Sequence, residues 1–182
     1  MIYLSQEEVK RLFAVIKTKR DKALFLIAYR HGLRASEVQL LRTQDIDFDR
    51  RKIFIRRLKA GLSGEQLLQE DEVKSLRSYV RSRRDTNEIL FISQKGGGIG
   101  SRALDYLMKK YCALANISSE KAHFHVFRHS IAIHLLDAGA DVMFVRDLLG
   151  HRNIQNTLIY AQYTSQRRDE IHRVLFATGR IV

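Results

Sequence analysis

The stretch from His123 to Tyr163, HFHVFRHSIAIHLLDAGADVMFVRDLLGHRNIQNTLIYAQY, leaves this chain few ways to fold. His125 and Arg128 stand at i, i+3, so on a helix their side chains are neighbours. At roughly 100° per residue, His125, Arg128 and His129 share one arc of about 100°. Val126, Phe127, Ile131, Ile133, Leu135 and Leu136 fill most of the remaining circumference. The pattern predicts a buried helix with a cationic window at its start. An arginine buried beside histidines calls for an anion.

A second helix is read over Asp141–Leu149 and is closed by Gly150, the residue that most readily adopts the left-handed conformation ending a helix. His151 falls in the turn, and Asn153 can cap a third helix through Tyr160. Nine residues of unbroken helix would put His151 and Tyr160 on opposite faces. They share a site only if His151 precedes the helix, which the Gly-His-Arg-Asn turn permits.

The rest of the chain reads as mostly helical with a small sheet. Ser5-Gln6-Glu7-Glu8 is a capping box opening a helix to about Ile16. Thr18–Asp21 is a polar break, and a core helix runs from Lys22 to about Arg30, ended by Gly32. Ser36 can cap a short helix carrying Val38, Leu40 and Leu41. Asp45–Asp49 and Lys52–Arg57 read as strands around an Asp49–Arg51 turn, with a third strand at Gln66–Gln69 after a Gly61–Gly64 loop. Asp71–Arg84 is an amphipathic helix with Lys74, Arg77, Arg81, Arg83 and Arg84 outside. Glu88–Ser93 is a short apolar stretch. The glycine-rich 94–100 loop lacks the Gly-Lys-Ser/Thr of a P-loop and fails the dinucleotide pattern at Ser101. A further helix runs from Ser101 to about Ala115 and carries Cys112 as a core residue.

At 182 residues and 45% hydrophobic composition the chain fits one domain. A formal net charge of +12 and a sequence pI of about 10.1 point to a polyanion partner. A single cysteine excludes an intrachain disulfide and fits a reducing compartment. No signal peptide is visible, and the longest apolar run, Ala23–Tyr29, is too short for a membrane. His125 and His129 have i, i+4 spacing. The absence of an HExxH pattern, of a nearby cysteine and of any carboxylate between Glu120 and Asp137 argues against zinc. His31 and His134 read as core or boundary histidines.

His125-Val-Phe-Arg128-His129, Leu149-Gly150-His151 and the interval from His151 to Tyr160 resemble the tyrosine recombinases of the phage-integrase family. Gly32-Leu33-Arg34-Ala35-Ser36-Glu37 is similar to the segment with that family's first arginine. The resemblance covers almost the whole chain. It implies the recombinase catalytic-domain fold over residues 1–182: a helical bundle, a three-stranded antiparallel sheet at about 45–69 and a C-terminal tail at 165–182. It also implies catalytic roles for Arg34, Lys59, His125, Arg128, His151 and Tyr160. Tyr160 would be the nucleophile and His125 would take its proton. Lys59 would protonate the leaving oxygen, while Arg34, Arg128 and His151 would stabilise the phosphorane. Arg56, Arg57 and Arg152 are assigned to DNA contacts. Read without the family, Arg34 and Glu37 could equally be a surface ion pair worth under about 1 kcal/mol, and Lys59 a solvated loop lysine.

The implied activity is site-specific recombination of double-stranded DNA through a 3′-phosphotyrosyl link and a Holliday junction. It would need neither ATP nor metal, and would be carried out by a homotetramer with tail exchange between subunits. Because the motifs begin near residue 1, a core-binding domain is expected to be missing, as in fimbrial-switch invertases. The Arg57-Leu58-Lys59 run and the His-Arg-Asn after Leu-Gly also fit those proteins. The expected location is the cytoplasm, with DNA-bending accessory proteins as further partners. A mobile-element integrase, an inactive fragment of one, a non-catalytic DNA-binding regulator and a type IB topoisomerase remain alternatives.

Overall fold

Ser5 opens the first helix of the computed structural model, which describes residues 1–58, 61–93, 96–164, 173–174 and 177. The Ser5 hydroxyl accepts from the Glu8 amide, and the Glu8 carboxylate accepts from the Ser5 amide. Helix α1 then spans Gln6–Val15. Helix α2 is Lys19–Arg30, three residues longer at its start than the sequence predicts. The polar stretch proves to be its cap, since the Thr18 hydroxyl accepts from the Asp21 amide. Phe25 of α2 lies edge-on to Tyr111, Phe124 and Phe127. Each such fully buried side chain contributes about 1.5–3 kcal/mol by leaving water.

Helix α3 is a single turn, Ala35–Val38, that starts without Ser36 as cap. The Glu37 carboxylate takes the Arg34 amide instead. Strands β1 (Ile46–Asp47), β2 (Lys52–Ile55) and β3 (Gly64–Leu67) form an antiparallel sheet in that order. The first strand is shorter than expected because the Asp47 carboxylate folds the chain back by accepting from the Asp49 and Arg50 amides. The third strand comes two residues early. Gly64 pairs with Ile55, while the Gln69 amide is already engaged by Glu72 at the start of the next helix.

Helix α4 is Glu70–Ser82. Arg83, expected outside, folds inward onto Asp85, the Thr43 hydroxyl and the Leu90 carbonyl, so its charge is spent on closing the 83–91 segment. Helix α5 is Ser101–Leu114, and Cys112 is buried in it. Helices α6 (Val126–Asp137), α7 (Val142–Leu149) and α8 (Gln155–Ala161) follow. The Asp141 carboxylate caps α7, and the Asn153 side chain accepts from the Gln155 amide.

Helix α6 is the hub, in contact with α2, α7 and α8. Ile131, Ala132 and Ile133 build a small second core with Val145, Leu149 and the ring of Tyr160. Gly32 makes the approach of α2 to this core possible. It sits at φ 55°, and a Cβ there would meet the Leu149 side chain at 2.4 Å. His31 is buried against Gln66 and Glu72, and His134 is buried against Tyr29. No described helix is long and apolar enough to cross a membrane.

Candidate active site

The cationic window foreseen at the start of α6 exists, and its three side chains diverge. His125 is the N-cap residue and is exposed. Arg128 turns inward and is only 1% exposed. One of its amino groups donates to the Gly32 carbonyl at 2.6 Å and the other to the Leu149 carbonyl at 2.8 Å. It therefore spans from the turn carrying Arg34 to the turn carrying His151. His129 points at Tyr160, with Nδ1 3.1 Å from the phenolic oxygen.

Arg34 follows the left-handed Gly32 and caps α3. It donates to Glu37 at 2.9 Å and keeps about a third of its side chain open to solvent. Glu37 is buried and also receives Arg57 at 2.7 Å, with Arg128 4.0 Å away. Burial pushes the Glu37 pKa up, but Arg57, the Arg34 amide and Arg128 outweigh it and hold the group below its ordinary value. Three guanidinium ions thus surround one carboxylate. That shortage of negative charge is felt by Arg128, whose pKa falls to about 9 through burial first and then through Arg34 and Arg57. An arginine still stays charged at neutral pH. The cluster is built to receive an anion.

Gly150 ends α7 at φ 68°, and the His151 amide returns to the Arg146 carbonyl at 3.0 Å. That turn places His151 before α8 begins, while Tyr160 faces α6. The His151 Nδ1 lies 2.9 Å from the Thr157 hydroxyl. With that hydroxyl as donor, the neutral ring carries its proton on Nε2, free for an acceptor. Burial, then Arg128, Arg34 and Arg57, bring the His151 pKa to about 4. Burial, then His125 and Arg128, bring His129 to about 4 as well. Desolvation, Arg128 and Arg34 lower His125. Burial raises the Tyr160 phenol, against the pull of Arg128 and Arg34. Arg34 and Arg128 are thus near enough to act on His125, His151 and Tyr160 alike.

Two of the DNA-contact assignments are left with room for that role. Arg56 is 40% exposed on its side chain, paired with Asp45 and lying over the Phe54 ring, and Arg152 is exposed in the His151 turn. Arg57 is a correction. Its side chain is 1% exposed and its amino groups are taken by Glu37, His31 and Leu148, so it has no open path to a phosphate. In the strand expected over Lys52–Arg57, successive side chains alternate faces, which could have warned that one of the two arginines points inward. Lys59 lies outside the described residues. So do the tail positions 165–172, 175–176 and 178–182, which include Leu175 and Phe176 of the apolar cluster.

Two residues do more in the structure than their sequence pattern tells. Glu37, expected to pair with Arg34 or to orient its helix, also joins Arg57 and lies 4.0 Å from Arg128. His129 was seen in the window, but its contact with Tyr160 depends on the angle between α6 and α8, which no local pattern encodes. Among the described residues no group of three or more His, Cys, Asp or Glu side chains is arranged to hold a metal ion.

A model described as the phage integrase family matches residues 3–167. Tyrosine recombinase XerA of Thermococcus kodakarensis is 36% identical over 166 residues, covering 88% of this chain and 58% of that protein. The type 1 fimbriae regulatory protein FimE of Escherichia coli (strain K12) is 33% identical over 174 residues, covering 91% of this chain and 87% of its own length. The crystal structure of XerA recombinase superposes with a TM-score of 0.83 at 28% identity, over 94% of this chain and 64% of that one. The chain therefore spans little more than half of the XerA relative and most of FimE.

Proposed function

The chain belongs to the phage integrase family of tyrosine recombinases, and on that premise we propose that it is a site-specific DNA recombinase that cuts and rejoins strands through Tyr160. The observation that carries this reading is the gathering of Arg34, Arg57 and Arg128 around the buried Glu37, with His151 and Tyr160 near enough to feel the charges of Arg34 and Arg128. Such a pocket is short of one anion, and a phosphodiester supplies it.

In the proposed reaction the Tyr160 oxygen attacks the scissile phosphorus, forming a P–O bond as the bond to the 5′-oxygen breaks. The phosphorane gains negative charge, so fixed donors around it are the main catalytic device. Arg34, a third open to solvent, offers its guanidinium to a non-bridging oxygen. Arg128 adds fixed positive charge behind it and reaches the phosphate only by releasing the Gly32 or Leu149 carbonyl, and His151 adds an Nε2–H. The tyrosine proton passes to His125, which is exposed and whose pKa is lowered by desolvation, Arg128 and Arg34. His129 secures the hydroxyl beforehand. The lysine at position 59 returns a proton to the 5′-oxygen. The tyrosyl ester keeps the bond energy for religation to another strand.

Within this class, resemblance to FimE over most of its length favours a DNA invertase over a mobile-element integrase. The assembly would be a tetramer on DNA, with residues 165–182 linking one subunit to the next. Truncation after Arg168 is then expected to weaken cooperative binding to paired sites and to abolish recombination. Tyr163 is the competing nucleophile, but its hydroxyl accepts from the N-terminal ammonium at 2.7 Å, and the residue is 40% exposed where Tyr160 is 3% exposed.

The test is covalent capture. The chain is incubated with sheared genomic DNA, denatured, and the attached DNA sequenced. The recovered site is then built into a nicked duplex that traps the adduct. Wild type and Tyr163→Phe should form the adduct, and Tyr160→Phe should not. An adduct that survives Tyr160→Phe, or none with wild type, would overturn the proposal and favour a DNA-binding regulator in the latter case.

A further inference from the structure

Arg57 is the least expected feature of the molecule: a guanidinium buried beside two others, out of reach of substrate. A buried ion pair is weak evidence for stability, because desolvation offsets most of its Coulomb gain and a well-packed apolar side chain often does as well. What Arg57 touches is more informative. One amino group donates to Glu37 at 2.7 Å. The other donates to the His31 carbonyl at 2.9 Å and also to the Leu148 carbonyl. Arg128 donates to the carbonyls of Gly32 and Leu149. The two arginines therefore grip adjacent pairs of carbonyls, 31 with 148 and 32 with 149. They form parallel rungs between the turn before Arg34 and the last turn of α7. Gln66 adds a neutral rung, donating to the Leu148 carbonyl at 2.8 Å while its carbonyl lies 2.7 Å from His31 Nδ1.

The chain around Arg57 is shaped to leave room for it. A Cβ on Gly150 would meet Arg57 Cγ at 2.8 Å, and a Cβ on Gly61 would meet Arg57 Cβ at 2.7 Å. Glu37 in turn holds the backbone and the guanidinium of Arg34. Arg57 is thus one bond from the residue that fixes Arg34, and its other bond ends on α7, just before the turn that carries His151.

We infer that Arg57 is a positioning residue for strand cleavage: it locks the Arg34–Glu37 turn to the end of α7, so that Arg34 and His151 stand at a fixed separation across the phosphate. This rests on the reading of Arg34 as a phosphate ligand. Arg128 and Gln66 also bridge the two turns, but Arg57 is the bridging side chain that hydrogen-bonds Glu37 as well, with Arg128 4.0 Å from that carboxylate, so Arg57 ties the bridge to the residue that holds Arg34.

The test uses the full chain and the nicked duplex recovered by covalent capture, with either a normal phosphate or a methylphosphonate at the scissile position. The methylphosphonate lacks the anionic oxygen and needs less help from a well-placed guanidinium. Arg34→Ala, Arg57→Met and Arg57→Lys are compared with wild type in single-turnover cleavage, with DNA affinity and thermal unfolding measured beside it. On the normal phosphate, Arg57→Met should cut at least 100-fold more slowly, with DNA affinity within about twofold. On the methylphosphonate the deficit should shrink to less than tenfold, in parallel with Arg34→Ala. Arg57→Lys keeps a charge but only part of the fork, and should fall between. If Arg57→Met does not fold, the lysine variant carries the same comparison. Relief for Arg34→Ala with none for the Arg57 variants would overturn the inference, because a general packing defect slows both substrates equally. An Arg57→Met that cuts like wild type would also overturn it. No relief for Arg34→Ala would overturn the phosphate reading of Arg34, and the inference with it.

Discussion

His129 Nδ1 lies 3.1 Å from the hydroxyl of Tyr160, and the His125 ring stands edge-on to His129 with centroids 4.6 Å apart. The tyrosine, 3% exposed, is therefore secured by the histidine after the arginine, while the histidine before it faces outward. Burying a hydroxyl without a partner costs about 1–3 kcal/mol, so the bond to His129 is what lets the phenol rest inside.

It follows that the two histidines separate by experiment. His129→Ala should make Tyr160 leave its pocket more often, seen as faster nitration of Tyr160 by tetranitromethane on peptide mapping. His125→Ala should leave nitration unchanged and slow single-turnover cleavage by about 10²–10⁴-fold, the usual worth of a general base. Slower cleavage with His129→Ala than with His125→Ala would move the base role to His129.

The excess of buried positive charge predicts that a small anion stabilises the free protein. Vanadate or phosphate bound at Arg34 and Arg128 should raise the unfolding free energy by about 2.7 kcal/mol at a hundred times its Kd. Arg128→Ala should lose this increment while Arg152→Ala keeps it. Calorimetry across an anion titration gives the answer. An increment that survives Arg128→Ala would place the anion elsewhere.

Lys59 is assigned by resemblance alone, and leaving-group chemistry can test it without a structure. Lys59→Ala should cut normal DNA slowly and recover on a duplex with a 5′-bridging sulfur, which departs without a proton. Arg128→Ala should not recover, since it stabilises charge. Equal defects on both substrates would remove Lys59 from the acid role.

What the sequence disclosed follows how local each signal is. The buried character of α6, the Gly150 stop and the placing of His151 before α8 were legible because each is set by neighbours within a few residues. The sheet was legible as three strands but not in its limits, because Asp47 and Gln69 end strands through side-chain and capping bonds that compete with pairing. Arg57 was misread because in a basic chain a second arginine beside Arg56 looks solvated. Its burial is decided by Glu37 and by carbonyls 26 and 91 residues away. The partner of Tyr160 was hidden for the same reason, since it lies 31 residues back across a helix packing.

Gly150→Ala should be costly twice. The φ of 68° is strained for any residue with a Cβ, by about 1–2 kcal/mol. The new carbon would also stand 2.8 Å from both Arg57 Cγ and the Leu62 carbonyl oxygen. The Leu62 amide bonds the Gly150 carbonyl at 3.1 Å, so the same shift disturbs the β2–β3 connection. A stability loss above about 2 kcal/mol in urea denaturation is expected, together with lost cleavage. Gly96→Ala has a φ of 85° with nothing within 4 Å, so it should show the strain without the loss of cleavage.

Stability should fall as pH drops from about 6.5 toward 4. His129 and His151 are held neutral in the folded chain, with pKa values near 4, and His125 and His134 are also lowered. The unfolded chain binds protons at these histidines near the ordinary value of about 6.5. Between those values the unfolded state holds more protons, so stability is fully present above 6.5 and is lost on acidification. Glu37 is depressed below the usual carboxylate range, so its own loss begins only lower, below about 4.5. The interval from 6.5 to 5 therefore reports the histidines. Urea denaturation across that interval should show a falling midpoint in wild type and a flatter course in His151→Asn and in His129→Asn. A slope unchanged by both substitutions would mean that neither ring is held neutral by its burial and the positive charge beside it.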